Sequence, residues 1–241
     1  MEVFHRRPNN PKTKLLYLGG ATWKISSMFD IDVTEDSFCD LLLQHDIEVF
    51  SFDLPDTSHD DVIKKVKQLI ETHSINYIMG YSYGCISAIE CALTYKLNGI
   101  ILLDPFSGVP VPSVTVGDHF EYTVLEIKQL VDNTTAIKDE IKKVYIESLS
   151  TGEKFTAPTY PKKLVMDRKF LTLPAWTNIG LVSCPLYVAF TSTARAPIKD
   201  YFLRFKQKTY TTSSHWILLE DGRYTLADDI NEFIKNSHYD I

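Results

Sequence analysis

Four kinds of residue or pattern are scarce in this chain of 241 residues, and each scarcity narrows what it can be. There are only four cysteines (Cys39, Cys85, Cys91 and Cys184), none in a C-x-x-C pair and most in apolar contexts. We expect buried free thiols, not a disulfide framework or a zinc site. Ten glycines and eleven prolines, all scattered, exclude collagen-like and Pro-rich sequence. No stretch approaches the ~18 apolar residues that a membrane span requires. The polar, basic stretch Met1 to Lys14 has no apolar core like that of a signal peptide. We therefore expect a soluble, cytoplasmic protein with no membrane span. There is no basic surplus either: 25 Lys and Arg face 31 Asp and Glu, for a net charge of −6. The basic clusters, Arg6-Arg7 and Lys162-Lys163, are short, and a nucleic-acid binder needs a basic face, so no nucleic-acid partner is expected. H-E-x-x-H, paired His/Cys spacings and the P-loop are absent, and Gly19-Gly20 does not extend to G-x-G-x-x-G. No metal and no cofactor are expected.

What is present is ordinary globular material, 44% apolar and 23% charged, which rules out wholesale disorder. The length suits one domain, or one domain with an insertion. Short apolar runs alternate with amphipathic stretches. Lys14 to Gly20 and Ile47 to Phe52 read as buried strands, with a helix between them over Thr34 to Leu43, capped by Thr34. Asp60 to Thr72 places Val62, Val66 and Leu69 on one helical stripe. A strand over Asn76 to Met79, a helix over Tyr83 to Tyr95 and a strand over Gly99 to Leu103 follow. Continuously apolar strands alternating with helices predict an α/β protein, with a mostly parallel sheet covered on both faces.

The rhythm breaks between Phe106 and Asn178. Phe120, Val124, Ile127 and Val131 share one helical face, as do Ile137, Ile141, Val144 and Tyr145. We read 106–178 as a helical insertion over one end of the sheet, and 1–105 with 179–241 as the core. The sheet resumes at Pro185 to Thr191. A helix over Ile198 to Phe205, a strand near Lys208 to Thr212, a loop holding His215 and a last helix over Thr225 to Ile234 complete the chain.

The sharpest local signal is Gly80-Tyr81-Ser82-Tyr83-Gly84, a G-x-S-x-G run between a strand and a helix. A serine in so tight a turn takes a strained backbone, and small residues two before and two after it let neighbouring backbone approach. The turn lifts the hydroxyl above the C-terminal edge of the sheet, where open parallel sheets bind ligands. A serine hydroxyl is a poor nucleophile at neutral pH and needs a base. Of the seven histidines, only His215 lies in a loop after the last predicted strand and before the last helix.

Elbow, late histidine and C-terminal helix together resemble the α/β-hydrolase superfamily, over about Lys14 to Ile234. Asp53-Leu54-Pro55 resembles the D-x-P-G-x-G loop common there, without the glycines that follow. The insertion stands where that family places its lid. The resemblance implies an acid after the strand that follows the lid, but Ala189 to Arg195 contains no aspartate. The alternative is Asp104, at the end of Ile100 to Leu103. There the chain resembles thioesterase domains that release acyl chains from carrier proteins, whose acid follows the strand just after the nucleophile helix. A dyad with no acid remains open. Glu220 and Asp221 follow His215 closely and are read as the start of the last helix. Two backbone N–H groups should form an oxyanion hole. By the resemblance these belong to Tyr83 and to Ala21, with Thr22 next.

The expected activity is a serine esterase or thioesterase working through a Ser82-His215-Asp104 acyl-enzyme. Tyr81, Trp23 and Phe106 are expected to contact substrate, either a small molecule or an acyl group on a carrier protein. The aromatic residues of the insertion suit an apolar acyl pocket, or simply hold the lid to the sheet. Acyl transfer or cyclisation on the same site is an alternative, as is a non-catalytic ligand-binding module, because fold alone does not imply activity.

Overall fold

The apolar runs of the sequence become neighbouring strands. The computed structural model describes residues 2–20, 25–33, 35–53, 58–105, 137–148, 174–192 and 201–237, and the backbone of 114–116, 119–121 and 159–161. In chain order the strands are β1 (Phe4–Arg6), β2 (Thr13–Leu18), β3 (Ile47–Ser51), β4 (Tyr77–Tyr81), β5 (Gly99–Leu103), β6 (Val114–Val116), β7 (His119–Glu121), β8 (Thr159–Pro161), β9 (Leu186–Thr191) and β10 (Lys206–Tyr210). Seven of them form one sheet in the order β1-β3-β2-β4-β5-β9-β10. β1 runs antiparallel at one edge and every other pairing is parallel. All residues of β3, β4, β5 and β9 are buried, as strands covered on both faces must be.

Register positions the site. Tyr81, Leu103 and Ala189 lie side by side at the C-terminal end of β4, β5 and β9. The residues that follow Tyr81 and Leu103 are Ser82 and Asp104, so these two leave the same sheet edge from adjacent strands.

The helices α1 (Ile25–Met28), α2 (Phe38–Gln44), α3 (His59–His73) and α4 (Gly84–Thr94) fill the early crossovers. α3 matches its sequence reading and buries Val62, Val66 and Leu69. Its start is a capping box: the Ser58 hydroxyl accepts the Asp61 N–H, and the Asp61 carboxylate answers the Ser58 N–H. Hydrogen bonding from Ser58 lowers the Asp61 pKa. α2 begins later than the sequence reading placed it. Ser37, not Thr34, is its cap, because Ser37 and Asp40 exchange the same reciprocal bonds, at 3.1 and 3.0 Å. Thr34 itself lies outside the described residues.

The insertion holds more than helices. β6, β7 and β8 form a small antiparallel sheet, so Phe120 belongs to a strand and not to a helical face. Val124, Ile127 and Val131 lie outside the described residues. The helix Asp139–Ser148 forms as its periodicity predicts and, with Ile137 just before it, buries Ile141 and Tyr145. A short helix over 174–178 leads into the 3₁₀ turn Ile179–Leu181. Residues 201–205 form turns, with Phe202 fully buried, and the rest of the helix expected from Ile198 is outside the described residues. The final helix is Gly222–Ser237, longer at both ends than the sequence reading.

The core divides across the sheet. One face gathers Leu15, Tyr17, Phe29, Met79, Tyr81 and the C-terminal helix; the other gathers Leu16, Ile78, α3 and α4. Successive residues of each strand alternate between the two, the period-two rule of a pleated strand. The cysteines are free thiols, with Cys39, Cys85 and Cys91 buried. No described helix is long and apolar enough to cross a membrane.

Candidate active site

The turn after β4 is built by its two glycines. A Cβ on Gly80 would stand 2.5 Å from the carbonyl oxygen of Gly84, and one on Gly84 would stand 2.1 Å from the carbonyl oxygen of Leu18. Both distances lie far inside van der Waals contact, so only glycine allows the strand, the helix start and the end of β2 to close together. Ser82, at the apex, takes φ = 54°, the left-handed region that non-glycine residues avoid at a cost of about 1–3 kcal/mol. Its N–H bonds Leu103 O at 2.9 Å and its C=O accepts from Cys85 N at 3.1 Å, which stitches the strained residue to β5 and α4. The Cys85 thiol donates to Gly80 O at 3.2 Å.

Asp104 leaves β5 in the same way, with φ = 42°. Its N–H bonds Ala189 O at 2.7 Å. Its carboxylate is 5% exposed and fully engaged. Oδ1 accepts the Thr191 N–H at 3.0 Å and the Thr191 hydroxyl at 2.9 Å. Oδ2 pairs with His215 Nδ1 in a very short contact. An aspartate that merely ended a strand before Pro105 would not need its carboxylate aimed at a histidine from far along the chain. Thr191, at the end of β9, thus supplies two donors to the carboxylate that leaves the neighbouring strand.

His215 opens a turn over 215–219, with its side chain 22% exposed. The ring stacks on Tyr81, with centroids 5.1 Å apart, and meets Trp216 edge-on at 6.5 Å. The Tyr81 hydroxyl donates to the backbone oxygen of His215. Tyr81 is completely buried, and burial pushes its phenol well above the ordinary range, with Tyr17, Asp104 and Glu220 adding repulsion against the phenolate. It therefore stays a hydrogen-bond donor. Tyr81, which the sequence reading assigned to substrate contact, is thus packed against the imidazole with no exposed surface.

The remaining site residues divide by whether they are described. Tyr83, the donor expected from the elbow, stands at the start of α4 with its side chain buried. The close approach of Gly84 to the carbonyls of Leu18 and Gly19 brings this helix start against the turn after β2. Ala21, Thr22, Trp23 and Phe106 lie outside the described residues, as do Leu54 and Pro55. Asp53 is described and accepts the Ile25 N–H at 2.9 Å, so it ties the loop after β3 to α1.

Some contributors are not visible in the sequence. Glu220, read as the start of the last helix, precedes that helix and is buried against the His215 loop. Tyr145 of the insertion meets Trp216 edge-on at 5.5 Å. Lys138 bonds Glu35 at 2.6 Å and reaches Asp221 at 3.4 Å, and Arg223 bonds Glu35 at 2.8 Å. The bonds from Lys138 and then Arg223 hold the Glu35 carboxyl below its usual pKa, and Glu35 holds the Lys138 ammonium above its own. Other nucleophiles are subdued: burial pushes the thiols of Cys39 and Cys91 up and that of Cys184 up to about 11, leaving them protonated at neutral pH. Among the described residues no cluster of three or more His, Cys, Asp or Glu could hold a metal ion.

No protein-family model and no curated protein matches the sequence. Solved structures do match its fold. A Paleococcus ferrophilus monoacylglycerol lipase aligns over 98% of this chain and 100% of its own, with a TM-score of 0.69 and 14% identity. A soluble variant of the Saccharomyces cerevisiae monoglyceride lipase aligns over 98% and 90%, with a TM-score of 0.67 and 14% identity. A thioesterase domain from the curacin biosynthetic pathway aligns over 95% and 93%, with a TM-score of 0.59 and 12% identity. The chain has the α/β-hydrolase fold, as the sequence resemblance implied.

Proposed function

We propose that this protein is a serine hydrolase that cleaves an ester or acyl-thioester through an acyl-enzyme. The observation that carries the reading is the bond between the Asp104 carboxylate and His215 Nδ1, formed at the sheet edge from which Ser82 also projects. An aspartate on Nδ1 fixes the tautomer of the imidazole and leaves Nε2 to act as the base.

Ser82 Oγ attacks the carbonyl carbon while His215 Nε2 takes its proton. The N–H groups of Tyr83 and Ala21 receive the charge that develops on the carbonyl oxygen. His215 then gives its proton to the departing alkoxide or thiolate. A water molecule, deprotonated in turn by His215, attacks the acyl-Ser82 ester; the C–O bond to Ser82 then breaks, His215 returns the proton to Ser82 Oγ, and the acid is released. Asp104 stabilises the imidazolium in both halves without itself taking the proton. Esters are supported by the fold shared with two lipases, and thioesters by the position of the acid after β5 and the fold shared with a thioesterase domain.

A fluorophosphonate probe tests the reading, followed by p-nitrophenyl esters and acyl-thioesters of increasing chain length. We expect stoichiometric labelling of native protein, none in Ser82→Ala, and turnover that tracks labelling. A native protein that takes no label and turns over no member of the series is a binding module on this fold. Turnover that rises on adding an alcohol or amine acceptor, with the acyl group recovered on the acceptor, marks a transferase.

A further inference from the structure

Glu220 is 1% exposed, and among the described residues its carboxyl makes no ion pair. Arg223, three residues on, turns its guanidinium to the backbone oxygens of Leu219 and Glu220 and to Glu35. Removing a carboxyl from water is costly unless donors meet its oxygens, and an apolar side chain would fill the space without that cost. Among the described residues, the donors that meet it belong to Ser214. The Ser214 N–H reaches Oε1 and Oε2 at 3.1 and 2.9 Å, and the Ser214 hydroxyl donates to Oε1. Ser214 Oγ then accepts the Trp216 N–H at 3.1 Å. One carboxyl thus holds the residue before His215 directly and the residue after it through Ser214.

Together with Tyr81 on the His215 carbonyl and Asp104 on Nδ1, this ties down the peptide groups that carry the imidazole. Asp104 alone sets the ring's rotation but not the position of its Cα. Reactions of this kind lose about 10²-fold for a 1 Å misplacement of a reacting group. We infer that Glu220 is a positioning residue for His215, its carboxyl clamping the Ser214–Trp216 backbone so that Nε2 is held where proton transfer needs it. The catalytic part of this inference rests on the serine-hydrolase reading; the clamp itself does not.

The test has two arms, run on Glu220→Ala, Glu220→Gln and Ser214→Ala. In the first, amide hydrogen exchange at Ser214 and Trp216 reads the clamp without any substrate. Both amides should be protected in the native protein. They should exchange faster at both positions in Glu220→Ala, and at Trp216 in Ser214→Ala. In the second, kcat per fluorophosphonate-labelled site should fall about 10²-fold in Glu220→Ala with KM little changed. Glu220→Gln keeps an oxygen for the Ser214 N–H and should recover much of the loss. If Glu220→Ala does not fold, the other two variants carry both arms. Unchanged exchange at both amides overturns the clamp. Native kcat per labelled site with only a lower melting temperature reduces Glu220 to packing and overturns its positioning role. A native protein that takes no label overturns the hydrolase reading, and the positioning role with it, while the exchange arm still judges the clamp.

Discussion

The two halves of the candidate site are built by opposite means. The elbow at Ser82 is local: Gly80 and Gly84 stand two residues either side of the serine, and their missing side chains are what let the turn close. The loop at His215 is held by polar contacts instead, some within the loop and some from far along the chain. Its imidazole is held by Asp104, its carbonyl by Tyr81, its flanking amides by Glu220, and its outer face by Tyr145 through Trp216. Short-range sterics make the first half rigid; polar contacts, local from Glu220 and long-range from Asp104 and Tyr81, make the second. Damage to the elbow should therefore appear as lost folding, and damage to the loop as lost chemistry in a folded protein.

The strongest way to break that contrast is at Asp104. Asp104→Asn keeps the shape but favours the wrong tautomer of His215, and turnover should fall by about 10³–10⁴ with the fold intact. Steady-state kinetics beside circular dichroism checks this, and near-native turnover would remove Asp104 from the mechanism. Next comes Gly84→Ala. Its methyl meets a backbone oxygen that cannot swing aside, so we expect about 3 kcal/mol of destabilisation or more in urea unfolding. An unchanged midpoint would mean the elbow has slack that its contacts do not suggest.

Tyr81→Phe is a smaller intervention in the loop. It leaves the His215 carbonyl without its donor in a buried setting, which should cost about 1–3 kcal/mol. Turnover should fall while the elbow, and hence the maximum extent of labelling of Ser82, stays unchanged. Smallest is the link between insertion and loop. Lys138→Ala removes an exposed ion pair with Glu35, and we expect only a slight loss of stability that shrinks further in high salt. The pKa of Glu35 is lowered in the fold, so its contribution is present above its unfolded value and lost as pH falls through the folded one. The raised pKa of Lys138 works in the other direction. Its contribution is present below its unfolded value and lost as pH rises through the folded one. Stability measured at acidic, neutral and alkaline pH should show the native protein and Lys138→Ala converging at both ends.

Most of the sheet was legible because a strand buried on both faces must be continuously apolar, and such runs as Ile100 to Leu103 have no other reading beside helices of clear period. The insertion was read less well. Its three-residue strands are too short to show a period of two, so Phe120 joined a helical pattern by coincidence of spacing. α2 was started too early because Thr34 and Ser37 are both acceptable caps, and only the reciprocal bond with Asp40 distinguishes them. Glu220 reads in sequence as the start of the last helix because it stands just before it; only the bonds to Ser214 show that its carboxyl turns back onto the loop.

The amino-acid order was enough to establish the parallel sheet and the sharp bend at Ser82, because both follow from contacts between near neighbours: buried runs, helical stripes and glycines two residues from a serine. The pairing of Asp104 with His215 over a dyad with no acid, the burial of Tyr81 beneath the ring and the grip of Glu220 on the loop were decided by the folded chain. The first two depend on which strand lies beside which and in what register, a property of segments far apart in sequence; the third depends on how the turn between Ser214 and Glu220 folds back on itself.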